Sequence, residues 1–362
     1  MRYDKSHLSI DVQVARLTSR GMQGDPLVMA ERLSVANYHR LTAYWHPFRL
    51  NDHSFVPATD FETVWRRYVF DRQLRLLVLD AIERFEVALR TQFSFHHSKL
   101  FGPFGYYDSP ASLPKLGDLK HAELKAEIDH VVQRNAEELY VRHFLQKYGD
   151  SHPVPPIWAT VELIDFGKLM QMYQNAPKAI KKPLAEKFGV PDKVLGSWIL
   201  GLVSVRNICA HHGRLWNRTL GVKLMEPPAD RFPDWHTPHK VDMGSSYGVI
   251  RACHYLIRKI APQSGWTTRV NALLRQHPDI PKSAMGFPDG ENVIHEDQVG
   301  TQCRPYPRGV AARGKLACGQ VDPGRCLLFR DAVPTLPDGD KAAGSESPPY
   351  QRKRTARGAV PT

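Results

Sequence analysis

Residues 59–99 limit the fold more than any other stretch of the chain. Trp65, Tyr68, Leu74, Leu77, Val78, Ala81, Ile82, Phe85 and Leu89 recur at the three- and four-residue spacing of one helical face. Thr59-Asp60-Phe61-Glu62 reads as a T-x-x-E capping box at the start of this run. About forty residues exceed the usual globular helix, so the pattern predicts a break or kink near Phe70-Asp71. The other periodic stretches are helical as well. Ser9 caps a helix through Arg20 closed by Gly21, and Asp25-Pro26 opens a second running to about Tyr44. Further helices are expected over about 118–148, 157–175, 177–188, 246–260 and 267–277. The fold class is therefore expected to be all-α.

One further helix ends in an unusual concentration of polar groups. Pro191-Asp192 opens it, with Asp192 as N-cap, and Val194, Leu195, Trp198, Ile199, Leu202 and Val203 form a stripe that burial would fix. Its end carries Arg206, Asn207, His211, His212, Arg214 and Arg218 within thirteen positions. At 100° per residue, Asn207, His211 and Arg214 share one face, with Arg206 about 100° round from Asn207. An arginine grips phosphate oxygens through paired, charge-assisted bonds, and a histidine moves a proton near neutral pH. So placed, they suit activation of a ribose 2′-hydroxyl against a phosphodiester without a metal. The competing reading is structural, since cations also favour a helix C-terminus through its dipole.

Arg206-Asn207-(three residues)-His211 resembles the R-x4-6-H signature of HEPN domains, a helical family that includes many metal-independent ribonucleases. The longer run RNICAHHGRLWNR, at 206–218, resembles the hallmark of Abi-like proteins, the AbiD/AbiF type of bacterial abortive-infection proteins. Other segments agree: NYHRLTAYW at 37–45, DRQLR at 71–75, IERFEVALR at 82–90, FGPFGYY at 101–107, ELIDFGK at 162–168 and MGFP at 285–288. The aromatics of 37–45 suit either a core stripe or base stacking. Glu83, Glu86 and Arg90 are expected to brace the bundle. An acid such as Glu162 is a candidate partner for Arg206 or His211, or simply a surface or capping acid.

The resemblance spans about residues 7–290 and implies a HEPN-type bundle. Residues 1–58 would be an N-terminal helical segment, 59–290 the Abi-like domain, and 291–362 a disordered basic tail rich in Gly and Pro. It implies phage defence by RNA cleavage, with Arg206 and His211 catalytic and Asn207, His212, Arg214 and Glu162 supporting them. It also implies a homodimer pooling two such segments, with no cofactor and no metal. The alternative is a non-catalytic RNA-binding sensor or scaffold using the same Arg/His face. An antitoxin or a non-coding RNA is a further candidate partner.

Composition fits these expectations. Lys plus Arg (49) exceed Asp plus Glu (37), a net +12 that favours a polyanionic partner such as RNA. Residues 296–362 hold 11 basic and 7 acidic side chains, so the excess is not confined to the tail. The five cysteines lack metal-like spacing and read as free thiols of a cytoplasmic protein. No stretch approaches ~18 uninterrupted apolar residues, so no membrane association is expected. His121, His130 and His143 stand too far apart for an obvious metal site and read as surface residues. P-loop, G-x-S-x-G, H-E-x-x-H and G-x-G-x-x-G patterns are absent.

Overall fold

The computed structural model describes residues 6–294. The disordered tail expected beyond 291 lies, from residue 295 on, outside the described residues. Among the described residues there are thirteen α-helices and no strand. They run α1 (Ile10–Ser19), α2 (Pro26–Val35), α3 (Tyr38–Trp45), α4 (Phe61–Phe101), α5 (Gly105–Asp108), α6 (Asp118–Arg134) and α7 (Leu139–Tyr148). Then follow α8 (Ile157–Leu163), α9 (Phe166–Asn175), α10 (Lys178–Phe188), α11 (Asp192–Ala210), α12 (Ser246–Ile260) and α13 (Trp266–Gln276).

Helix α4 is the axis. It runs unbroken for 41 residues and packs against α3, α8, α10, α11, α12 and α13. The break expected near Phe70-Asp71 does not occur. The helix contains neither glycine nor proline, and Phe70, Leu74, Val78, Ile82, Phe85, Leu89 and Phe93 are buried along its length. Its N-cap is Asp60, whose carboxylate accepts from the Glu62 amide at 2.7 Å, so the helix is capped one residue later than expected and the Thr59–Glu62 box does not form. Three other expected helices are each split in two. Asn37 caps α3 separately from α2, Asp165 caps α9 separately from α8, and residues 135–138 part α6 from α7. In the first two cases a short side chain accepts from an open amide in the first turn of the new helix.

Polar side chains are buried along the same axis. Asp71 is fully buried on α4. Its Oδ2 accepts from the Tyr44 hydroxyl at 2.6 Å and from Arg75, and its Oδ1 accepts from the amides of Leu215 (3.0 Å) and Trp216 (2.6 Å). One carboxylate thereby ties α3, α4 and the segment following α11. Arg90, expected to brace the bundle, does so by donating to Glu86 and to the carbonyls of Val161 and Ile164 at the end of α8. His121 is buried, contrary to the surface position expected of it, with Nε2 3.1 Å from the Tyr106 carbonyl.

Helix α11 passes between α4, α9 and α10. By length and composition it is the one helix among the described residues apolar enough to cross a membrane, yet half of it is buried inside this fold. Trp198, Ile199, Leu202 and Val205 are fully buried, while Val203 is only half-buried. Gly201 lets residues 222–225 lie against the helix, since a Cβ there would sit 2.7 Å from Leu224 Cδ1. At the far end of the described chain, Asn271 exchanges bonds with the Ile294 backbone at 2.7 and 2.9 Å. The packed domain therefore extends past the boundary expected at 290.

Two buried histidines set the acid stability of the fold. Both ring nitrogens of His97 lack a partner, and burial holds its pKa down to about 4. Burial, helped by Arg251 and Arg258, does the same to His254, also to about 4. Each stays neutral in the fold while the unfolded chain protonates near 6.5. Their contribution is therefore complete above pH 6.5 and lost as pH falls toward 4, at about 3 kcal/mol per histidine. Urea titrations at pH 7.5 and 4.5 should show this loss. In His97→Leu, which strands no polar atom, about half of it should disappear.

Candidate active site

The polar cluster stands where α11 stops. Ala210 is the last helical residue and His211 the cap. The His212 amide donates to the Cys209 carbonyl at 3.0 Å and the Gly213 amide to the Ile208 carbonyl at 2.8 Å. Together these bonds make a Schellman closure. Its left-handed position, usually glycine, is held by His212 with φ +59°. The glycine comes one residue later and serves close approach: a Cβ on Gly213 would stand 3.2 Å from the Ile208 carbonyl oxygen.

Two arginines fasten this turn to α3. Arg40 donates to the His212 carbonyl at 2.8 Å, and Arg214 donates to the Ala43 carbonyl at 2.8 Å. The expectation that Arg214 shares a helix face with Asn207 and His211 is thus overturned. The helix has ended four residues earlier, and the Arg214 guanidinium is spent on the last turn of α3. Beyond it, Leu215 is held from both sides. Its amide donates to Asp71, and its carbonyl accepts from the Ser246 hydroxyl at 2.7 Å.

An open groove lies along the exposed face of α11 at this end. Asn207, His211, Ser204 and Arg218 give it a polar side. Leu200, Val203, Ile208 and Val222 give it an apolar one. His211 and Asn207 are both exposed. Arg206 is half-buried beside the groove, its Nη1 3.4 Å from Asn207 Oδ1. His212 does not line the groove. It is exposed, and its backbone makes the turn. Glu162 is remote in its bonding, for its ion pair is with Arg90 at 3.8 Å. So Asn207 and His211 come together with Arg206 beside them, while His212, Arg214 and Glu162 take other places.

Residues 31–217, just over half of the chain, match the family model described as Abi-like protein. The chain belongs to that family. No curated protein and no solved structure matches it. The matched span takes in α3, α4 and the segment following α11, the three places that Asp71 joins. Membership associates this Abi-like protein with abortive-infection defence against phage.

Two residues at the site have no role assigned to them by the sequence pattern. Arg218 reaches the groove, its Nη1 3.2 Å from the Arg214 carbonyl and near Gly213. It lies past the helix end, where face arithmetic has no purchase. Arg40 was visible only as one member of an aromatic-rich segment. Among the described residues no three His, Cys, Asp or Glu side chains gather as a metal set. Cys209, buried under the turn, is an unreactive thiol, because burial and the nearby Asp71 charge push its pKa up to about 12.

The strain at His212 gives a stability test. His212→Gly should raise the free energy of unfolding by about 1 kcal/mol, since a β-carbon is disfavoured at this φ by about that much. Gly213→Ala should lower it by a comparable amount. Thermal melts of the two variants in opposite directions would confirm the geometry of the turn.

Proposed function

We propose that this Abi-like protein is a metal-independent endoribonuclease acting from a homodimer. The observation that carries the reading is the groove. His211, Asn207 and Arg218 line it at a helix end fixed by backbone closure, with Arg206 beside Asn207.

In the proposed reaction the His211 imidazole takes the proton of a ribose 2′-hydroxyl, and the 2′-oxygen attacks the adjacent phosphorus. The P–O5′ bond breaks, and the departing 5′-oxygen receives a proton. The products are a 2′,3′-cyclic phosphate and a 5′-hydroxyl. Arg206 and Arg218 offset the negative charge that builds on the phosphorane oxygens. Because one chain directs only His211 to the groove, the acid that protonates the leaving oxygen is the partner's His211. General acid–base assistance of this kind is worth ~10²–10⁴ in rate. Asn207 orients its neighbours by accepting from Arg206.

The test is a gel of total RNA with the purified protein in EDTA. Cleavage should persist in EDTA and leave cyclic phosphate ends. His211→Ala should lose ~10²-fold or more, at the level of a missing acid–base group. Arg206→Lys, which keeps charge but loses the planar fork, should be nearly as impaired. His212→Ala should retain most activity. RNA binding without turnover in the wild type would favour the other reading, a non-catalytic RNA sensor built on the same face. Sedimentation as a monomer with cleavage intact would remove the dimer.

A further inference from the structure

A second cationic surface lies at the opposite end of α11. Lys115, Lys178, Lys182 and Lys193 are exposed there, around the half-buried Lys181. Their proximity follows from the packing. Lys181 lies over the Tyr173 ring at 5.5 Å and donates to the Gln174 carbonyl. The Tyr173 hydroxyl meets the Asp192 carbonyl at 3.4 Å, and the Lys115 amide meets the Asn175 carbonyl at 3.5 Å. Lys178 and Lys182 are one turn apart on α10, and Lys193 follows Asp192 in the first turn of α11. The nearby acids are Glu186 and Asp192, so the cluster keeps a clear positive excess. The segment 118–150, covering α6 and α7, instead carries seven acids against five Lys and Arg.

The two cationic ends share a face. Lys193 and His211 are 18 residues apart, five turns of 3.6, and therefore point the same way from the axis. Leu200, Ser204 and Asn207 fall within about 40° of that line. Leu200 and Asn207 are exposed and Ser204 is half-buried, so this is the open side of the helix. At ~1.5 Å per residue the separation is about 27 Å, roughly eight nucleotides at ~3.4 Å per nucleotide of one strand.

We infer that the Lys115, Lys178, Lys181, Lys182 and Lys193 cluster is an RNA-backbone anchor, which holds a strand about eight nucleotides away from the scissile phosphate at His211. The inference rests on the reading of the groove as an RNA site. Lysine ammonium groups are point charges that hold phosphates without selecting bases. The anchor therefore sets a minimum substrate length and not a sequence.

The test uses the full chain and a fluorescein-labelled 20-nucleotide RNA, with binding read by anisotropy over a range of KCl. Lys115→Gln, Lys178→Gln, Lys182→Gln and Lys193→Gln are combined in one variant. A second variant carries Arg at the same four positions. The Gln variant should bind at least ten-fold more weakly in ~0.15 M salt. Its log affinity should fall less steeply with log salt, by roughly 0.7 for each phosphate that the lysines no longer neutralise. The Arg variant should keep the affinity, and a five-nucleotide RNA should lose little in either. An unchanged affinity and slope in the Gln variant overturns the anchor, as does an equal loss in the Arg variant. Absence of RNA binding by the wild type overturns it too, as does lysine-dependent binding to phosphatidylserine vesicles alone. Lysine-dependent binding with no cleavage products would sink the nuclease reading and leave the anchor standing.

Discussion

The site depends on one buried carboxylate. Asp71 has no access to water, and a lone charge there would cost several kcal/mol. It is tolerated because four donors converge on it: a hydroxyl from α3, a guanidinium one turn along α4, and two consecutive amides from the chain leaving α11. The two amides matter most for function. A chain that has just left a helix in a left-handed turn has no ladder to return to, and its next amides need an acceptor. Asp71 supplies it, and so fixes the direction in which 213–218 departs. Arg40 and Arg214 then close the gap between turn and α3 from both sides.

Much of the architecture was legible in the sequence, for identifiable reasons. Helices α4 and α11 carry apolar positions at helical spacing, and most of those positions are buried, with Trp65, Tyr68, Leu77 and Val203 only partly so. The errors have a common cause: periodicity sees an apolar stripe and is blind to what polar groups do at its ends. Asn37 and Asp165 interrupt stretches that the stripe would carry through, because their side chains cap a new helix. Asp71 reads as a weak point in α4 because three of its four partners are 27, 144 and 145 residues distant and no local pattern announces them.

The same blindness explains the site. Asn207 and His211 lie on the helix or at its cap, and helical arithmetic put both on the face that the groove exposes. Arg214 and Arg218 lie past the end. Their directions are set by a closure that uses His212 where glycine is usual, and no spacing rule foretells it. The family resemblance drew attention to thirteen residues but did not separate those that bond within the fold from those that line the groove. The bonds do that: Arg214 faces α3, while Arg218 faces the groove.

Tyr44 and Arg40 both belong to α3, before the long helix begins. The turn bearing His211 is therefore built on a seam between chain segments, with its foundations on either side of residue 59. A shortened version starting at α4 would keep every residue proposed to act on RNA. It would also leave the Asp71 carboxylate without its hydroxyl partner and the His212 carbonyl without its guanidinium. The N-terminal helices are in this sense the support of the turn that carries His211, and a fragment meant to keep that turn has to retain them.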